Sequence, residues 1–162
     1  MFTDLLHRLE KIEKYLDRRN SVLQPITSEV TPCVPAWTTT GTAPVLGNGV
    51  LTGKYQIRGK MCLYNLIFVP GTTTTYGTGN WAFSLPFPAS NDAGDGWFGI
   101  CHIRKTGVAN YERFAQILAG ATTISIFTTL TEGSNVSNLT NALPWAWAHD
   151  GSLQLQIEYE MA

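Results

Sequence analysis

Leu153-Gln154-Leu155-Gln156-Ile157-Glu158-Tyr159-Glu160 alternates apolar and polar side chains without a slip. Successive side chains of an extended chain point to opposite faces, so this octapeptide predicts a strand with one buried and one wet face. Upstream, turn signals recur every eight to twelve residues from Ala36 onward, the spacing of an all-β sandwich or barrel. Strands are predicted over Trp37–Thr40, Val50–Arg58, Lys60–Val69, Trp81–Leu85, Trp97–Lys105, Ala109–Leu118 and Thr122–Leu130, with a Trp-rich edge at Pro144–Ala148. Met61 to Phe68 is almost continuously apolar and reads as a strand buried on both faces. Helix competes with strand over Tyr111–Leu118, and strand is preferred. Pro70–Asn80 reads as a flexible loop and Thr131–Ala142 as a polar one. Eight or nine short strands in this length predict a jelly-roll-like antiparallel β-sandwich over residues 36–162.

The first residues follow a different rule. Phe2, Leu9, Leu16 and Leu23 fall at heptad position a, and Leu5 and Ile12 at d, with charged residues between. This predicts an N-terminal coiled-coil α-helix over residues 1–24. A helix of about 20 residues is marginal alone in water, so its apolar seam needs a cover. Sister chains, the chain's own β body or a docking structure would each supply one; sister chains, three in all, are preferred. Residues 25–35 carry three prolines and predict an extended linker.

Composition narrows the function. Nine of the 23 Asp, Glu, Lys and Arg residues lie in positions 1–20, and the formal net charge is −1. A chain so balanced gives no electrostatic case for nucleic acid or an anionic membrane. Neither a transmembrane run nor a signal peptide is expected from the sequence. Cys33, Cys62 and Cys101 are odd in number and far apart, so free buried thiols and folding in a reducing cytosol are expected.

Three blocks carry a resemblance: WTTTGTAPVLGNGVLTGKY (Trp37–Tyr55), TTTTYGTGNWAFSLPFP (Thr72–Pro88) and PWAWAHDGSLQLQIEYE (Pro144–Glu160). Together they resemble a β-sandwich module of virion structural proteins of tailed phages, especially those of actinobacteria. The resemblance implies a homotrimeric tail-fibre, spike or decoration component in the virion that engages the host surface; joined to the heptads and the aromatic loops, it leads to the expectation of an N-terminal helix anchored on other virion proteins and a head presented to host-surface glycan. It names no catalytic residue.

Chemistry is sparse in the residues themselves. Cys101 and His102 are adjacent in a strand and point to opposite faces, which disfavours a nucleophile–base pair. His7 falls on the charged side of the helix, and His149-Asp150 precedes Gly151 as a hairpin turn would. No catalytic or nucleotide-binding motif occurs, so a non-enzymatic protein without cofactor is expected. A polysaccharide hydrolase would need convergent carboxylates from Asp92, Asp95, Glu112 or Glu132. Asn91, Asp92 and Asp95 offer oxygen ligands for calcium, but their spacing is that of an ordinary turn, and no metal site is expected. Sugars need aromatic faces flanked by amides and hydroxyls. Tyr76, Trp145 and Trp147, with Asn135 and Asn138, are the candidate glycan contacts; burial between heads is the alternative. Trp37, Trp81 and Trp97 lead strands and read as core. The functional readings are host attachment first, capsid decoration second and the polysaccharide hydrolase third.

Overall fold

A computed structural model describes residues 10–14, 29–92, 94, 96–128 and 137–162. These are mainly β. Nine strands are present among them: β1 (Thr31–Cys33), β2 (Trp37–Thr39), β3 (Val50–Arg58), β4 (Met61–Val69), β5 (Trp81–Ser84), β6 (Trp97–Lys105), β7 (Ala109–Ile117), β8 (Thr123–Ile126) and β9 (Gly151–Glu160). They form one antiparallel sheet in the order β1-β3-β4-β9-β6-β7-β8-β5-β2. Where two stacked sheets are predicted, hydrogen bonding thus runs continuously through one curled sheet.

The curl follows from connectivity. β1 and β2 lie at opposite ends of the strand order yet are separated by only Val34, Pro35 and Ala36. Four residue steps span at most about 14 Å, so the two edges must approach each other. The centre of the sheet is built from long ladders, with nine residue pairs each for β3–β4 and β6–β7 and eight for β4–β9. The ladder narrows to two pairs between β7 and β8, Ala115 with Ile126 and Gln116 with Ser125. That narrowing lets β8, β5 and β2 fold back over the long strands. Tyr64 donates its hydroxyl to the Ser84 carbonyl at 3.3 Å, and Tyr159 donates to the Phe87 carbonyl at 3.0 Å. Both bonds cross the core between the two halves.

The core is the inner face of the curl. Cys62, Tyr64, Leu66 and Phe68 of β4 meet Leu153, Leu155, Ile157 and Tyr159 of β9, with Ile103, Ile117, Ile124, Ile126, Trp81 and Phe83 alongside. β9 obeys its alternation as predicted. At Gly53 of β3 an added Cβ would lie 2.7 Å from the Cys33 sulfur and 3.0 Å from the Tyr64 ring, so glycine lets β1 close over the core there. Gly59, with φ of +62°, makes the tight turn between β3 and β4.

Several sequence expectations need correction. β4 is buried on one face only; Ile67 and Val69 are exposed on the other. The helical alternative over Tyr111–Leu118 loses to β7, which ladders along the whole of β6. Thr31–Cys33, inside the predicted linker, form edge strand β1 against β3, with Pro32 at the sheet edge where its missing N–H costs no ladder bond. Pro70–Asn80 is tied to the 40–49 segment: Asn48 Oδ1 accepts from the Thr73 N–H and hydroxyl, and Val45 and Thr75 bridge. Pro144–Ala148 forms no strand. Leu139, in a stretch read as polar loop, is fully buried, its N–H bonded to the Ile126 carbonyl and its carbonyl to the Trp81 N–H.

Of the predicted coiled coil, residues 10–14 are helical and exposed, Ile12 included. Phe2, Leu5, Leu9, Leu16 and Leu23 lie outside the described residues.

Candidate functional site

The predicted glycan contacts separate into three groups. Trp147 is 6% exposed, donates its indole N–H to the Leu143 carbonyl at 3.1 Å, and packs on Trp81 at 5.1 Å and Phe68 at 6.0 Å. A ring so enclosed cannot present a face to a sugar; it is core. Tyr76 and Trp145 are half-buried. Tyr76 stacks on Trp81 at 6.0 Å with an interplanar angle of 3°, and Trp145 stacks on Tyr111 at 5.4 Å. Burial, and secondarily the Asp150 carboxylate, push the Tyr76 hydroxyl above its ordinary pKa. These rings form one aromatic array from Tyr76 through Trp37, Trp81 and Trp147 to Trp145 and Tyr111, where the Arg113 guanidinium sits 4.3 Å from the Tyr111 ring centre. Trp81 is core as predicted, whereas Trp37 and Trp97 are half-buried. Asn135 lies outside the described residues.

Asn138 faces an open concavity. A groove of about 250 Å³ is lined by Gln116, Leu118, Thr123, Ser125, Phe127 and Asn138, together with Ala121. The β7–β8 pairing sets Gln116 directly opposite Ser125, and the bridge between Phe127 and Asn138 brings the loop amide to the same side. Two hydroxyls, two amides, one aromatic ring and one branched aliphatic side chain therefore share a shallow, neutral surface. This combination offers hydrogen bonds to sugar hydroxyls and apolar contact to sugar C–H groups. Sequence reading found Asn138 but missed the rest, because residues on β7 and β8 meet only through the fold. The alternation of Thr123, Ser125 and Phe127 against buried Ile124 and Ile126 is the one signal that places them outside.

The other chemical candidates stay dispersed. Cys101 is buried and His102 lies on the opposite face, as expected. Cys33, Cys62 and Cys101 are free thiols; Cys33 is half-buried, and burial pushes all three upward in pKa. Asp92 is held in a turn by Ser90, whose hydroxyl donates to Oδ2 at 3.1 Å and accepts the Asp92 N–H. Asp95, Glu132 and His7 lie outside the described residues. Among the described residues no group of three His, Cys, Asp or Glu side chains could hold a metal. No described helix is long and apolar enough to cross a membrane.

Comparison with known proteins adds one clear finding. Over 117 residues, 72% of this chain is 32% identical to a Mu-like prophage FluMu defective tail fiber protein of Haemophilus influenzae. The chain is similar to a phage tail-fibre protein. The similarity supports a tail-fibre-type protein and lies with a Haemophilus prophage, not with the actinobacterial phages that the sequence blocks resemble. This chain spans 18% of that relative's length. No protein-family model matches the chain, and no solved structure matches it.

Proposed function

We propose that this chain is a structural, non-enzymatic component of a phage virion, of tail-fibre type. Its curled β body would be presented as a homotrimer for contact with host-surface glycan. The observation that carries the reading is the 32% identity to a tail fiber protein over 72% of the chain. In this reading the heptads of residues 1–24 would join three chains and attach them to other virion proteins, with the curled β body presented beyond the prolines. The glycan contact in this reading is the groove of Gln116, Thr123, Ser125, Phe127 and Asn138, with Tyr76 and Trp145 as supports rather than ligands. Attachment is preferred to capsid decoration because the similar protein is a tail fiber protein.

The test uses fluorescently labelled full-length protein on Haemophilus influenzae cells first and on actinobacterial cells second. Saturable labelling is expected, weakened by about 100-fold in a Leu9→Asp/Leu16→Asp variant that removes multivalency. Ser125→Tyr, which fills the groove, should remove labelling while leaving the assembly intact. Absence of labelling on both cell types would overturn host attachment.

A further inference from the structure

The outward face of β6 and β7 carries large apolar side chains in open solvent. Phe98 is 58% exposed, Ile100 65% and Phe114 51%. Ile100 and Phe114 are paired directly across the ladder, so their side chains are neighbours and form one patch. One row crosses five strands at this level: Lys54, Asn65, Gln156, Ile100 and Phe114. Shallow hollows flank Ile100 on both sides. One is lined by Glu112, Arg113 and Phe114, the other by Asn65, His102, Gln154 and Gln156. Around the patch stand two cations, Lys54 and Arg104, and two carboxylates, Glu112 and Glu158, all exposed. None of the four has an ion-pair partner among the described residues; the pair found there is Lys60 with Glu160.

We propose that a second copy of this chain covers this face, with Phe98, Ile100 and Phe114 at the centre of the contact. The inference rests on the homotrimer reading and assigns it a surface on the β body. Three adjoining apolar side chains are too apolar for a sugar, whose hydroxyls would go unpaired against them. A rim that mixes both signs, with Lys54, Arg104 and the Arg113 beside Ile100 against Glu112 and Glu158, matches no strongly acidic or basic partner but complements a copy of itself. The amides of Asn65, Gln154 and Gln156 are likewise both donors and acceptors, so where three such faces meet about a threefold axis each can bond to the next. The predicted coiled coil would bring such faces together at high effective concentration.

The experiment compares full-length wild type, Ile100→Asp/Phe114→Asp and Leu9→Asp/Leu16→Asp by light scattering across a dilution series, with circular dichroism to verify folding. Ile100→Cys is then labelled with a maleimide, alone and combined with the helix substitutions, above the background of the three native thiols. Expected are a wild type of three chains and a face variant that dissociates at about tenfold higher concentration or more. The thiol introduced at position 100 should label slowly in the assembly and fast in the helix variant. A wild type of three chains with an unshifted face variant and an introduced thiol labelled equally fast in both states would overturn this contact and leave the trimer standing. A wild type that is a monomer at micromolar concentration would overturn both. A monomer in which the introduced thiol is protected would instead assign the face to the chain's own N-terminal helix and overturn the proposal.

Discussion

The loop aromatics and the outward side chains of β6 and β7 differ in a way opposite to their sequence appearance. Trp145 and Trp147 lie in a short Trp-rich edge beside a turn, in the setting of an exposed ligand loop, yet Trp147 is enclosed and Trp145 half-enclosed. Phe98, Ile100 and Phe114 lie in regular strands, in the setting of core residues, yet they face solvent. The cause is the curl. A strand has two faces and the curl covers one, so apolar residues on the convex side stay out. A loop that crosses the open end of the curl must cover it, and its large rings fill the gap. Aromatic content therefore marks the plug at one place and a surface at the other, and only the fold tells them apart.

The largest expected effect tests the plug. Trp147→Ala should cost about 3–5 kcal/mol of stability in urea denaturation, the usual cost of emptying a buried tryptophan site. Phe98→Ser, which removes a large ring from the convex face, should change the stability of the isolated monomer by about 0.5 kcal/mol or less. Equal losses would erase the distinction. Trp145→Ala should fall between them, at about 1–2 kcal/mol, since its ring stacks on Tyr111 while remaining partly wet.

Most strands were legible because their periodicity is set by local chemistry. β3, β6 and β9 follow the alternation or turn signals that bound them, and Gly59 announces the first hairpin. The sandwich expectation missed the continuous curl because the link between the β1 and β2 edges depends on spatial order, not on any local signal. Met61 to Phe68 misled for a related reason. An apolar run signals burial on both faces, but here the convex residues Leu63, Ile67 and Val69 are the outer face of the sheet. Of the candidate groove, Asn138 was legible because an amide in a polar loop is conspicuous. Ser125 and Thr123 were not, since hydroxyls on strands are ordinary.

A smaller effect concerns pH. Tyr64 and Tyr159 are raised above their ordinary value of 10.0, and Cys101 above 9.0, chiefly by desolvation in the core. The folded protein thus holds protons that the unfolded chain releases. Stability from these groups is complete below about pH 9 and falls as pH rises through 9 and 10, where the unfolded chain ionises first. Melting temperature should be level between pH 7 and about 8.5 and then decline. Tyr64→Phe should soften that decline without affecting surface labelling, whereas a convex-face substitution should leave its slope unchanged. A stability effect as small as that of Phe98→Ser is expected for Ser125→Tyr, within about 0.5 kcal/mol of wild type, because the side chain lines the groove rather than the core.

The most direct measurement is hydroxyl-radical footprinting of the assembled full-length protein beside the Leu9→Asp/Leu16→Asp variant. If the curl covers one set of rings and assembly covers the other, Trp147 stays unoxidised in both samples, while Phe98 and Phe114 are protected in the assembly and reactive in the variant. Oxidation of Trp147 in the variant, or equal oxidation of Phe98 and Phe114 in both, would contradict that division.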